Sequence, residues 1–165
     1  MAKLPVLMYH NISLDKSLGL TICVEKFEWQ LAYLKSKNYK SIFASEIESL
    51  NNPKDKYVVI TFDDVTINQL QFAIPLLKKY QTKATFFIPF AYVGKSDLWN
   101  KGAEPIMSID QILSIDNDIV EFGHHSFAHK KYTELTPAQI IEDFDKSFQF
   151  ISKQSLNVAR ILAYP

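Results

Sequence analysis

The chain has little of several features that assign proteins to specialised classes. It contains one cysteine, Cys23, so no disulfide can form within the chain. Lysine plus arginine and aspartate plus glutamate both number 18, and this balance argues against nucleic acid or anionic membranes as partners. No run approaches the ~20 apolar residues of a membrane span. The N-terminus lacks the apolar core and cleavage site of a signal peptide, which leaves the compartment unassigned.

The composition is that of a folded globular protein. The 165 residues are 47% hydrophobic and 13% aromatic, and no internal repeat or low-complexity segment interrupts them. A chain of this length buries about two-thirds of its unfolded surface, which suffices for one core. We therefore expect a single domain over residues 1–165.

Short apolar runs alternate with amphipathic segments along the chain. The apolar runs predict strands at residues 4–9, 41–44, 57–62, 84–88, 118–122 and 159–164. Helical spacing predicts helices at residues 24–38, at 68–80 with a break at Pro75, at 108–115 and from Thr136 onward, with loops at 51–56 and 90–105. Strands that alternate with helices predict a parallel α/β sheet, because crossover helices join parallel strands.

Capping signals mark the starts of two of these helices and of a further brief helix after residue 44. They are Ser45 with Glu48, Ser108 with Gln111, and Thr136 with Pro137 and Gln139. Apolar spacing then predicts which faces are buried. The face of the helix at 24–38 carries Phe27, Leu31 and Leu34, and that of the last helix carries Ile140, Phe144, Phe148 and Ile151.

Side chains capable of chemistry follow four of the predicted strands. They are His10, then Asp63 and Asp64, then residues 123–129, and finally Tyr164 with Pro165. The C-terminal ends of parallel strands open on one face of the sheet, and active sites lie there. We therefore expect these side chains to share one site.

Asp63 and Asp64 are adjacent carboxylates at the end of an apolar strand. Consecutive side chains leave a strand in opposite directions. One carboxylate can therefore bind a cation while the other accepts a proton. The alternative is a polar strand end at which one aspartate caps the next helix.

His125 and His129 are four residues apart, a spacing that places two imidazoles on one side of a helical turn. With one aspartate they would form a metal site that keeps positions open for water and substrate, which is typical of catalytic zinc. The same ligand set also occurs in non-haem iron oxygenases, and a solvated polar loop is the remaining alternative. His124 should face away from His125 and be structural or support the ligands.

His10 alone is ambiguous, because a lone histidine after a buried strand can be a hydrogen-bonded structural residue or a general acid. Tyr92 and Trp99 lie in the loop at 90–105, where each could stack on a sugar ring or anchor the loop. Of these two, Trp99 is our predicted substrate contact.

These residues resemble the polysaccharide deacetylases of the NodB-homology type, carbohydrate esterase family 4. Thr61-Phe62-Asp63-Asp64-Val65 is similar to the TFDDG motif of that family, and residues 125–129 are similar to its H-[ST]-x-x-H motif. Residues 162–165 resemble the start of a third motif, and residues 83–87 resemble the strand between the first two. Residues 6–12 are similar to the start of the circularly permuted branch that includes bacterial poly-β-1,6-N-acetylglucosamine N-deacetylases.

The resemblance implies a distorted, incomplete (β/α) barrel and a role for each residue of the site. By that resemblance Asp63 is the catalytic base and His10 the acid. Asp64, His125 and His129 hold one divalent ion, expected to be Zn²⁺, and Tyr164, Pro165 and Trp99 contact the substrate. The implied reaction removes N-acetyl groups from an N-acetylglucosamine-containing polysaccharide and releases acetate. Family members usually act on extracytoplasmic polymers.

Three departures from the family pattern affect these expectations. Val65 replaces the glycine of the first motif and is expected to narrow the turn that follows the two aspartates. Ala163 stands where many members carry an arginine oriented toward the base. The sequence ends at Pro165, so we expect a domain truncated at its C-terminus.

Three further questions stay open at this stage. A catalytically inactive carbohydrate-binding fragment of the same fold is the alternative to an active enzyme. The polymer is not fixed among exopolysaccharide, peptidoglycan, chitin-like oligomers and acetylated xylan. The sequence also leaves the oligomeric state unassigned.

Overall fold

The computed structural model describes residues 4–50 and 55–165. Its strands are β1 (Val6–Tyr9), β2 (Asn11–Ser13), β3 (Thr21–Cys23), β4 (Tyr39–Ile42), β5 (Lys56–Asp63), β6 (Ala84–Ile88) and β7 (Val120–His124). Five of them form a parallel sheet in the order β1-β5-β6-β7, and β4 pairs with the beginning of β5. β2 and β3 form a separate parallel pair.

Four α-helices connect and cover these strands. They are α1 (Val24–Ser36), α2 (Ile74–Tyr80), α3 (Ile109–Leu113) and α4 (Pro137–Gln154). Short 3₁₀-helices lie at Ala44–Ser49, Phe90–Tyr92, Leu98–Asn100 and Tyr132–Glu134, and a π-helix lies at Gln69–Ala73. None of the helices in the described parts of the chain has the length and apolarity to cross a membrane.

The predicted parallel α/β class is confirmed, whereas closure of the sheet into a barrel stays a prediction. Pro75 acts as expected, because the π-helix ends before it and α2 begins around it. The core lies on both faces of β5 and β6, where Phe62 stacks on Phe86 with ring centroids 4.6 Å apart. Phe27 and Leu31 of α1 are fully buried against it.

The strand predicted at residues 159–164 is wrong. Only one bridge forms, between Leu162 and His124, although the segment runs beside β7. The Ile161 N–H donates to the Ala159 carbonyl within its own segment at 2.9 Å, and this local bond removes a donor from the ladder. The segment still reaches β7 through bonds from the Ala159 N–H to the Phe122 carbonyl and from the His124 N–H to the Ile161 carbonyl.

Two helix predictions also need correction. The turn that Ser45 and Glu48 were expected to cap begins at Ala44 instead, because the Glu46 carboxylate accepts from the Phe43 N–H at 2.8 Å and the Ser45 hydroxyl donates to Glu121. In α4 the predicted apolar face is rotated. Phe148 is 50% exposed, while Asp143 and Ser147 are the helix residues that are buried.

Two short strands, β2 and β3, were not predicted, since each has only three residues and lacks a recognisable apolar run. The predicted loop at 51–56 falls largely on residues 51–54, which lie outside the described residues. β5 already begins at Lys56.

Candidate metal centre and active site

One cleft of about 570 Å³ contains all eight residues predicted for catalysis, metal binding or substrate contact. It lies where β1, β5 and β7 end, as expected for a parallel sheet. The predicted residues that line it are His10, Asp63, Asp64, Trp99, His125, His129, Tyr164 and Pro165. Their individual roles stay predictions, but their convergence is a structural fact.

The turn after β5 places Asp64 in the cleft. Asp64 and Val65 have φ angles of +77° and +46°, and the Asp64 N–H donates to the Phe87 carbonyl of β6 at 3.1 Å. A left-handed conformation is costly for a β-branched residue. Val65 is 0% exposed, so burial of its side chain offsets that strain. Valine can therefore occupy the turn position at which the family motif has glycine.

Two imidazoles converge on Asp64. The Asp64 Oδ1 atom is 3.5 Å from His125 Nε2 and 3.2 Å from His129 Nε2. When one ligand atom is taken from each of the three residues, all three atoms lie within 4.8 Å of one another. The helical turn predicted for this segment is wrong, because it is an irregular loop in which Ser126 and His129 have φ angles of +62° and +50°. The loop nevertheless turns both rings toward the same carboxylate.

The protonation of His125 shows that this group suits a cation. Its Nδ1 lies 2.9 Å from the Ala163 carbonyl, which can only accept, so Nδ1 carries the proton. Burial lowers the pKa of His125 to about 4, against the raising effect of Asp64, and the ring is neutral near pH 7. His125 Nε2 therefore presents a lone pair to Asp64 Oδ1, which is buried and has no hydrogen-bond partner. A metal ion between these atoms satisfies both.

Asp63 and His10 form a second pair beside this group. Asp63 is 5% exposed, and burial followed by the charge of Asp64 raises its pKa to about 7. A cation bound to Asp64 would reverse the effect of the Asp64 charge, because a positive charge nearby lowers the pKa of Asp63. His10 Nε2 lies 3.6 Å from Asp63 Oδ2, and burial lowers the pKa of His10 while the Asp64 charge raises it. Among the described residues, no lysine or arginine lies within ion-pair distance of either aspartate.

Gln69 is a buried residue of this site that the sequence did not reveal. Its Nε2 donates to the carbonyl of His10 at 2.7 Å and to the carbonyl of Asp63 at 2.6 Å. The side chain is 0% exposed and belongs to the π-helix that follows the aspartates. One amide group thus ties the end of β1 to the end of β5.

The aromatic residues of the site have distinct surroundings. Trp99 stacks on the His129 ring with centroids 3.7 Å apart, and Tyr92 packs edge-on against Trp99. Both therefore anchor their loop to a predicted metal ligand, and sugar stacking by Trp99 stays a prediction. Tyr164 is 70% exposed at the rim of the cleft and packs edge-on against Tyr132.

His124 is buried away from the cleft, as expected from its strand position. Its ring lies between Phe90, Phe144 and Phe148, with centroids 5.4–6.2 Å away. Burial in this aromatic environment lowers its pKa. These contacts favour the structural role over a role in supporting the ligands.

Comparisons with known proteins identify the family of the chain. The chain matches the family model for polysaccharide deacetylases over residues 50–165. It is 30% identical over 168 residues to the YxkH protein of Bacillus subtilis, a match that covers 99% of this chain and 57% of that protein. It is 27% identical over 170 residues to the poly-β-1,6-N-acetyl-D-glucosamine N-deacetylase of Staphylococcus aureus, covering 96% and 58% respectively.

A solved structure shares the fold. The deacetylase PplD of Streptococcus pyogenes, in complex with acetate, superposes with a TM-score of 0.80 and 27% identity over 98% of this chain and 73% of that one. The chain spans somewhat more than half the length of the curated relatives that it matches.

Proposed function

Because the chain belongs to the polysaccharide deacetylase family, we propose that it hydrolyses N-acetyl groups of an N-acetylglucosamine-containing polysaccharide in a metal-dependent reaction that releases acetate. The observation that carries this proposal is the group of Asp64, His125 and His129, with the buried carboxylate of Asp63 beside it. The named activity of the Staphylococcus aureus relative supports the substrate class, and the acetate bound to PplD supports an acetyl site.

Asp64, His125 and His129 would hold one divalent ion, for which we propose Zn²⁺. Two imidazole nitrogens and one carboxylate oxygen leave positions open, as catalytic zinc requires. When bound, such an ion polarises an amide carbonyl and lowers the pKa of a neighbouring water molecule. The family assignment also favours hydrolysis over the iron-oxygenase chemistry that the same ligand set permits.

Asp63 and His10 carry the proton transfers in this mechanism. Asp63 accepts a proton from the water whose oxygen forms a bond to the acetyl carbon. His10 donates a proton to the amide nitrogen as its bond to that carbon breaks, so acetate and a free amine leave. The proton gained by Asp63 lies close to the acid, since Asp63 Oδ2 and His10 Nε2 are 3.6 Å apart. Trp99, Tyr164 and Pro165 line the same cleft, and in this mechanism they contact the sugar.

The test is acetate release from N-acetylglucosamine oligomers by the zinc-loaded protein and by Asp63→Asn. Loss of a general base lowers the rate by about 100-fold or more. Zinc binding should persist in Asp63→Asn, because Asp63 is not one of the three proposed ligands. Asp110→Asn is the matched control, since Asp110 is exposed on α3 and is not part of the cleft lining.

Each possible result has a defined meaning. Full activity in Asp63→Asn would show that the proposed base is wrong. A protein that binds the oligomers but releases no acetate would support the carbohydrate-binding alternative instead. Activity that survives complete removal of metal would contradict the metal-dependent mechanism.

A further inference from the structure

The loop between His125 and His129 needs an external restraint to hold its shape. Two of its residues, Ser126 and His129, have left-handed φ angles, which non-glycine residues rarely adopt. No helix or strand is assigned over residues 125–131. The loop backbone is held at two points, where the His125 N–H donates to the Ile88 carbonyl at 3.1 Å and the Phe127 carbonyl accepts from the Ala91 N–H at 2.8 Å. Such a backbone persists only when its surroundings fix it.

The carboxylate of Asp143, on α4, accepts several hydrogen bonds from this loop and from the residue that follows it. It accepts from the Phe127 N–H at 2.8 Å and from the Tyr132 hydroxyl at 2.9 Å. It also accepts from the Ser126 hydroxyl at 3.2 Å and from the Ala128 N–H at 3.4 Å. Asp143 is 7% exposed, so its carboxylate is largely withdrawn from bulk water.

These bonds fix the backbone on both sides of His129. The Ala128 N–H immediately precedes it, and the Lys130 N–H that follows it donates to the Ser126 hydroxyl at 3.2 Å. The Ser126 hydroxyl in turn donates to Asp143, which makes a relay from the carboxylate to Lys130. Hydrogen bonds to a charged acceptor are about twice as strong as neutral ones.

The position of Asp143 in α4 also explains the rotated face of that helix. The sequence predicts Phe148 on the buried face, yet Asp143 and Ser147 occupy it. A buried carboxylate is costly unless its oxygens are hydrogen-bonded. Here three donors of the loop and the Tyr132 hydroxyl satisfy it, so the helix and the loop stabilise one another.

We propose that Asp143 is a positioning residue that orients His125 and His129 for metal binding. It does not enter the cleft; it acts through the backbone that carries the two ligands. This inference rests on the proposed metal centre and adds to it a residue outside the cleft lining. Partners that orient ligands in this way typically change metal affinity by about 10- to 100-fold when they are removed.

The experiment is a competition titration with Zn²⁺ on the wild-type chain and on Asp143→Asn, at a temperature well below the unfolding midpoint of each. Asparagine keeps the shape but replaces one acceptor oxygen with an NH₂ group, which cannot accept from the loop. We expect the dissociation constant for zinc to rise by about 10- to 100-fold. Asp145→Asn is the matched control, because Asp145 is exposed two residues further along α4, and it should bind zinc as the wild type does.

A second pair of variants keeps the test decisive if Asp143→Asn does not fold. Tyr132→Phe and Ser126→Ala each remove one donor to the carboxylate and should each weaken zinc binding by a smaller factor. Wild-type zinc affinity in Asp143→Asn, or in both single-donor variants where Asp143→Asn is unfolded, overturns the positioning role. If the wild-type chain itself binds no zinc, the proposed metal centre fails, and that result is distinct from failure of Asp143 alone.

Discussion

At the scale of single residues, the side-chain amide of Gln69 links the two groups proposed to transfer protons. Replacement with leucine removes both N–H donors and leaves the carbonyls of His10 and Asp63 without these bonds. We expect kcat to fall by about 10- to 100-fold, because misplacement of a catalytic group by ~1 Å can cost that much. KM and zinc affinity should change little, since Gln69 makes no hydrogen bond to any of the three ligands. Steady-state kinetics and a zinc titration measure these effects.

Gln71→Leu is the control for this prediction. Gln71 lies in the same π-helix but is exposed, so the same substitution there should leave kcat unchanged. Equal kcat values for Gln69→Leu and the wild type would remove Gln69 from the account. If kcat falls only in proportion to the fraction of unfolded protein, the proposed role of Gln69 is contradicted as well.

The residues of the site differ in how far the sequence reveals them. Asp63, Asp64, His125 and His129 are visible because reactive side chains cluster after predicted strands and match family motifs. Gln69 leaves no such signal, since its bond to the His10 carbonyl joins residues 59 positions apart. Backbone acceptors are hidden in the same way, because any residue type can supply a carbonyl.

At the scale of elements, Gly123 allows three segments to meet near the ligands. A Cβ atom there would lie 2.7 Å from Cε1 of Phe87 in β6 and 2.9 Å from Cγ1 of Ile161. Gly123→Ala should therefore destabilise the fold by about 1–3 kcal/mol, as overpacking does. Thermal unfolding of the metal-free protein measures this loss as a lower midpoint.

Two further variants separate overpacking from other effects. Gly123→Val adds more atoms at the same place and should lower the midpoint further. Gly19→Ala adds a methyl group that meets no atom within 4 Å, although its φ of +58° carries backbone strain, and it should cost less. An unfolding midpoint for Gly123→Ala equal to that of the wild type would contradict the close approach of Phe87 and Ile161.

The elements themselves were predictable where local composition decides them. β5 follows from a β-branched and aromatic run, and α1 follows from its apolar spacing. The segment at 159–164 has similar apolar content, but a local bond between Ile161 and Ala159 interrupts its ladder. The face of α4 was misjudged because the donors that satisfy Asp143 belong to another segment of the chain.

At the scale of the whole molecule, the site exists because the parallel sheet brings distant segments to one face. Asp64 follows β5, whereas His125 and His129 follow β7, two strands away in the sheet order. The strand alternation visible in the sequence predicts this arrangement. The sequence does not supply the distances, which depend on the irregular loop at 125–131 and on the turn at Asp64.

The most direct test of the account is a crystal structure of the zinc-soaked protein, with anomalous difference maps recorded above and below the zinc absorption edge. We predict one strong peak, present only above the edge, within coordination distance of Asp64, His125 and His129. Zn–N and Zn–O distances there should be about 2.0–2.2 Å. A map with no peak in this group, while the protein remains folded and zinc is present in solution, would contradict the central claim.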